Sequence, residues 1–139
     1  INSMALEKVL NLLSSEENEI GTLVTKFERE EDLKKEQFVK AVCNLFGSET
    51  ESYADNFVRK QGDYDSKNLF HHIGIYSFKR DALEKFVTLS QTDREKNEKL
   101  EQLRALDNNM KIKIGLIDFL PLGVDTPDDL EEIRKILSK

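Results

Sequence analysis

Two side chains able to handle a polar ligand stand close together in His72-Ile73-Gly74-Ile75-Tyr76, and two more follow in Leu100-Glu101-Gln102-Leu103-Arg104. The imidazole of His72 and the hydroxyl of Tyr76 can each donate to or accept from a hydroxyl. The Glu101 carboxylate accepts, and the Gln102 amide does both. Arg59, closing Asn56-Phe57-Val58-Arg59, adds a planar fork able to grip a carboxylate through two parallel bonds. Asp125, in Gly123-Val124-Asp125-Thr126-Pro127, offers the hard oxygen that Mg²⁺ prefers, an ion usually bound by one or two carboxylates plus phosphate. This set binds and orients. No nucleophile stands beside a base, and the six glycines form neither a G-x-G-x-x-G nor a G-x-x-x-x-G-K phosphate cradle.

These residues need elements to hold them. Residues 71 to 78 alternate as a strand, with Ile73, Ile75 and Ser77 on one face and His72, Gly74, Tyr76 and Phe78 on the other. That second face is either the wall of a polar site, with Gly74 leaving room, or a buried surface whose His and Tyr are satisfied by neighbours. Residues 93 to 106 are expected to form one helix, with Leu100, Leu103 and Leu106 inward. Glu98, Glu101 and Gln102 then share a face, which is either a binding face or a solvated one. Thr126 caps a closing helix from Pro127 to about Leu137, with Asp129 completing a T-x-x-D capping box and Leu130, Ile133 and Leu137 facing inward. Asp128 and Asp129 also suit the positive end of that helix. Asp125 precedes the cap and is not needed to start it.

Around these lie a helix over 3 to 14 with Leu6, Val9, Leu10 and Leu13 in a stripe, capped by Asn2 or Ser3, and strands over 20 to 27 and 38 to 43. The charged run 28 to 35 reads as a solvated helical turn or loop. A Ser-, Asp-, Asn- and Gly-rich stretch from 44 to 68 carries a strand at 53 to 58. A helix follows over 79 to 89, with Ala82, Leu83, Phe86 and Leu89 at helical spacing, and residues 111 to 118 form a strand whose wet face carries Lys111 and Lys113.

A chain of 139 residues is enough for one domain, taken as residues 1–139, with its own core. Its net charge of −6, with bases scattered among acids, disfavours nucleic acid as a partner. The single Cys43 fits a reducing compartment. No apolar run approaches the length of a membrane span, and the N-terminus lacks a secretory pattern, so a soluble, cytoplasmic protein without a membrane partner is expected.

The three motifs H-I-G-I-Y, L-E-Q-L-R and G-V-D-T-P-D-D-L, in this order and spacing, resemble the second half of the CMP-KDO synthetase family, the 3-deoxy-manno-octulosonate cytidylyltransferases. The resemblance runs from about Ile20 to the C-terminus. It implies an α/β fold, the second half of a Rossmann-like nucleotidyltransferase with a mixed sheet flanked by helices on both faces. It also implies an activity that joins KDO to CTP, giving CMP-KDO and pyrophosphate for lipopolysaccharide synthesis. On that resemblance His72, Tyr76, Glu101, Gln102 and Arg59 contact the sugar acid, Asp125 is a Mg²⁺ ligand, and the assembly is a homodimer. The family's CTP-binding half, which ends in a Gly-Asp-Glu-Pro segment before the position of Ile1, is implied to be absent, so turnover by this chain alone is not expected. One departure stands out: the family's Y-F-S-R strand and S-P-I-P-Y loop are replaced by Asn56-Phe57-Val58-Arg59 and the proline-free Lys60-Gln61-Gly62-Asp63-Tyr64. A competing reading is a ligand-free α/β module that pairs with another chain through exposed apolar surface.

Overall fold

The computed structural model describes residues 3–118. In chain order the elements are α1 (Ser3–Asn11), β1 (Ile20–Thr25), α2 (Glu30–Leu33), β2 (Lys40–Val42), β3 (Glu51–Tyr53), β4 (Asn56–Val58), β5 (Leu69–Phe78), α3 (Arg80–Thr88), α4 (Asp93–Glu98), α5 (Gln102–Asp107) and β6 (Ile112–Leu116). One sheet runs in the order β3-β6-β1-β5-β2-β4. Only the β1–β6 pair is parallel, so the sheet is mixed. The α/β class with helices on both faces holds. Among the described residues no helix is long and apolar enough to cross a membrane.

β1 is buried along its whole length because both of its faces are covered, which is why it reads as a near-continuous apolar run. On one face Leu23 meets Ala5, Val9 and Leu12 of the α1 segment, with Ile73 and Ile75 beside them. On the other, Ile20 and Val24 join Ala41, Phe57, Leu103, Ile112 and Ile114 in the larger core. The small residues on the first face decide how closely α1 lies. A Cβ on Gly21 would stand 2.5 Å from Ser77 Oγ and 3.1 Å from the Val9 carbonyl oxygen. The Ser77 hydroxyl in turn donates to that carbonyl at 2.6 Å. This corrects the expected stripe on α1: the buried positions are Ala5, Val9 and Leu12, while Leu10 is exposed. The phase is the one that seats Val9 and Leu12 on Gly21.

The strand expected over 53 to 58 is two strands. β3 pairs with β6 and β4 pairs with β2, at opposite edges of the sheet, with only Ala54 and Asp55 between them. The Ala54 N–H donates to the Ile112 carbonyl at 2.9 Å, and the Asp55 N–H donates to the Val42 carbonyl at 2.8 Å. A flat sheet would hold such edges about 24 Å apart, and the link spans at most about 11 Å. The sheet is therefore coiled until its edges meet.

The single helix expected over 93 to 106 is also two. α4 ends at Lys99, a non-glycine residue in the left-handed region at φ 58°, and α5 restarts at Gln102. Arg59 supplies the reason, because its Nε donates to the Glu98 carbonyl at 2.8 Å and its Nη2 to the Lys99 carbonyl at 3.3 Å. Those are the carbonyls an unbroken helix would offer to Gln102 and Leu103. The break leaves Glu98 exposed on α4, Gln102 buried on α5 and Glu101 exposed at the joint, so the three do not share one helical face.

Gly21→Ala is expected to destabilise the chain by about 1–3 kcal/mol, the cost of forcing apart a packed contact. Gly74→Ala, where a Cβ would meet nothing within 4 Å, should change stability by less than about 1 kcal/mol. Urea unfolding of the two variants checks the contrast. The Cys43 thiol is wholly buried, and burial with the nearby Asp55 charge pushes it up to about 12. It should resist a thiol reagent in the native state and react on unfolding.

Candidate functional site

The strand carrying His72 and Tyr76 is irregular where it matters. β1 and β5 pair Thr22 with Tyr76 and then Leu23 with Ile73, so Gly74 and Ile75 bulge out of the ladder. The wholly buried Thr22 hydroxyl sits against the bulge, 2.7 Å from the Ile75 carbonyl oxygen, 3.3 Å from that of Ile73 and 2.9 Å from His72 Nε2. His72 and Tyr76 still share a face, as the alternation predicts, with ring centroids 5.6 Å apart. Gly74 between them is exposed, and a Cβ there would meet no atom of the described residues within 4 Å.

From His72 an aromatic ladder runs along the concave side of the sheet. Phe57 meets His72 edge-on at 4.9 Å, Tyr76 follows, then Phe78 at 6.2 Å and Phe86 of α3 at 5.7 Å. The Arg104 guanidinium lies 4.9 Å over the Phe86 ring and holds buried Glu95 through two bonds of 2.9 and 2.6 Å. That same Glu95 closes a capping box with Thr92 at the start of α4. Arg104 thus ties α5 to α4 through that carboxylate, and to α3 and the ladder through Phe86.

These ties bring Tyr76 of β5 and Glu101 and Gln102 at the start of α5 to one cavity of about 180 Å³, floored by Ile20, Phe86 and Ile112. Burial, helped by the Glu101 charge, raises the Tyr76 hydroxyl above its ordinary range, so it remains neutral. Burial, and then the His71 charge, lower His72 to about 4, so it is neutral too. The cavity's accessible surface is almost wholly apolar, with Phe78, Leu83, Val87 and Ala105 also lining it, so a ligand there would meet carbon over most of its surface and the Tyr76, Glu101 and Gln102 side chains at few points. Neither Tyr76 nor His72 is poised near neutral pH for proton transfer.

His72 touches this cavity only through Tyr76. Arg59 lines a second and larger cavity of about 490 Å³ with Asn56, Arg94 and Glu98. Its guanidinium there donates to three backbone carbonyls, the third being that of Glu36 at 3.2 Å. Asp125, its turn and the closing helix lie outside the described residues. Among the described residues no group of three or more His, Cys, Asp or Glu side chains is arranged to hold a metal. Two residues of consequence escaped the sequence reading. Lys40 is wholly buried and donates to the carbonyls of Lys35 and Arg59, both at 2.6 Å. Thr22 fills the bulge. Each stands as a polar residue inside an apolar strand, and a buried polar group demands a partner.

A family model described as cytidylyltransferase matches residues 2–112. The chain is similar to the 3-deoxy-manno-octulosonate cytidylyltransferase of Rhizobium etli, 42% identical over 99% of this chain and 55% of the relative. The enzymes of the same name from Bartonella quintana and Paramagnetospirillum magneticum are each 45% identical, over 93% and 86% of this chain and 53% and 48% of their own length. A solved structure of CMP:2-keto-3-deoxy-manno-octonic acid synthetase complexed with CTP superposes with a TM-score of 0.76 at 26% identity, over 99% of this chain and 57% of that one. The chain spans about half the length of the curated relatives it matches. The likeness to CMP-KDO synthetase read from the three motifs holds.

The lowered value of His72 carries a pH signature. A group whose folded value lies below its ordinary 6.5 stabilises fully above pH 6.5, and loses that contribution as pH falls toward 4. Across that window the chain should lose at most about 3 kcal/mol through this residue, and urea unfolding of His72→Phe should show a flatter profile there. Glu95→Ala, which strands Arg104 and removes the box, is expected to cost about 3 kcal/mol at pH 7.

Proposed function

The chain belongs to the cytidylyltransferase family, and from that premise we propose that it forms the sugar-acid-binding half of an enzyme that makes CMP-KDO. The observation that carries this reading is the convergence of Tyr76, Glu101 and Gln102 on one cavity. They come from two of the three motifs that point to this family, and the chain is 42% identical to a relative named for the reaction. In the proposed reaction the anomeric hydroxyl of KDO attacks the α-phosphorus of CTP, pyrophosphate leaves, and the hydroxyl proton passes to solvent or a base.

Within that scheme the described residues bind and position. Tyr76 and Gln102 fix ligand hydroxyls, Glu101 accepts from them, and His72, beside Tyr76 on the same strand face, meets the part of the ligand that extends past the cavity. Positioning of this kind contributes to the rate of phosphoryl-type transfer by holding the attacking oxygen in line. Mg²⁺, with Asp125 as a ligand, would neutralise charge on the phosphates when bound. CTP as the second substrate, a homodimeric assembly, a cytoplasmic location and a place in lipopolysaccharide synthesis belong to the same proposal.

Thermal unfolding of the chain with increasing KDO tests it. A ligand bound only by the folded state adds about 2.7 kcal/mol at a hundredfold excess over Kd, and the expected result is a saturable rise in Tm that Tyr76→Phe and Gln102→Ala weaken. The absence of any rise up to millimolar KDO would sink the sugar-pocket reading for this chain.

A further inference from the structure

The Thr22 hydroxyl has one proton and three close polar neighbours. Two of them, the Ile73 and Ile75 carbonyl oxygens, can only accept, and the 2.7 Å separation from the Ile75 oxygen is that of a good O–H···O bond. The hydroxyl proton is therefore committed to Ile75. What remains toward His72 Nε2, at 2.9 Å, is an oxygen lone pair. A ring nitrogen meeting a lone pair must carry the hydrogen, and in a neutral imidazole the other nitrogen is then bare. The two nitrogens point to divergent sides of the ring, so the bare one is aimed away from Thr22 and β1. We propose that Thr22 is a positioning residue: seated in the β5 bulge, it holds His72 as the Nε2–H tautomer and so leaves Nδ1 as an acceptor for a hydroxyl of a bound ligand.

The ligand in this assignment is the sugar acid of the functional reading, on which that part rests. The consequence is chemical selectivity. An acceptor at Nδ1 favours a hydroxyl or an ammonium at the ligand position it meets, and disfavours a carboxylate or carbonyl oxygen there, which would bring two lone pairs together. The bulge is what allows this. Gly74 and Ile75 have no partners on β1, and the Thr22 hydroxyl replaces the missing ladder donor for the Ile75 carbonyl. The hydroxyl that completes the backbone is the one that orients the ring.

Long-range ¹H–¹⁵N correlation of the imidazole nitrogens in the labelled chain at pH 7 tests the first part without any ligand. The expected spectrum has His72 Nε2 at a protonated shift and Nδ1 at an unprotonated one. Thr22→Val should move both nitrogens toward the average of exchanging tautomers, and Thr22→Ser should restore them. A protonated Nδ1 in the native chain, or unchanged shifts in a folded Thr22→Val, overturns the proposal. KDO titration supplies the second part: loss of one hydrogen bond corresponds to roughly tenfold weaker binding in Thr22→Val, with Thr22→Ser close to the native chain. If the ring behaves as expected but KDO binds to no variant and not to the native chain, the sugar-acid reading falls while the setting of the tautomer by Thr22 stands.

Discussion

Tyr53 and Asn56 sit on opposite edges of a single sheet with two residues between them, and the sheet can satisfy both only by coiling. That constraint produces the concave side on which everything else is built. It encloses the larger core, in which Ala41 and Phe57 from one edge region meet Ile112 and Ile114 from the other. It also places the aromatic ladder inside a curve, where α3 and α5 close over it. The link needs no special residue at Ala54 or Asp55, because each backbone N–H finds a carbonyl on the nearer edge. The two edges are thus partly capped by the same stretch of chain, which limits the unpaired backbone available for stray pairing.

Much of this was written locally. The alternation over 71 to 78 gave the strand and its two faces, and Ser77 with Ile73 and Ile75 does lie toward α1. Lys113 keeps to the wetter face of β6, where it lies 4.4 Å over the Tyr53 ring. What escaped was set by partners distant in sequence. Nothing in Asn97-Glu98-Lys99-Leu100 announces a break, since lysine has no preference for the left-handed region. The break comes from the Arg59 guanidinium, forty residues away along the chain, which takes two carbonyls from the helix. The bulge is equally silent in the pattern, because alternation survives it: His72 and Tyr76 are still neighbours on one face. The split of 53 to 58 follows from the coil of the whole sheet.

The candidate site was legible in residue type and less so in arrangement. Tyr76, Glu101 and Gln102 line one cavity, the last two from a helix start rather than along a helix face. Arg59 was singled out for its fork, and here the fork holds the 36, 98 and 99 segments together through their carbonyls. Beneath it, the Lys40 ammonium fixes the Lys35 and Arg59 carbonyls, and among the described residues no carboxylate touches it. Burial lowers its proton affinity, and the attraction of Glu36 only partly opposes this. Two cations spent on main-chain oxygens make a rigid corner that sets where α5 begins, and so where Glu101 and Gln102 point.

The position of β1 has a consequence for how the chain acquires this shape. It is the first of the described strands, and its two neighbours in the sheet, β5 and β6, are separated from it by about fifty and ninety residues. Until β6 has been synthesised, β1 has a bare edge and an uncovered apolar surface. The first of the described strands is thus completed by the last of them. Assembly should be late, slow and all-or-none, and the nascent chain should depend on protection of Ile20–Thr25 in the meantime.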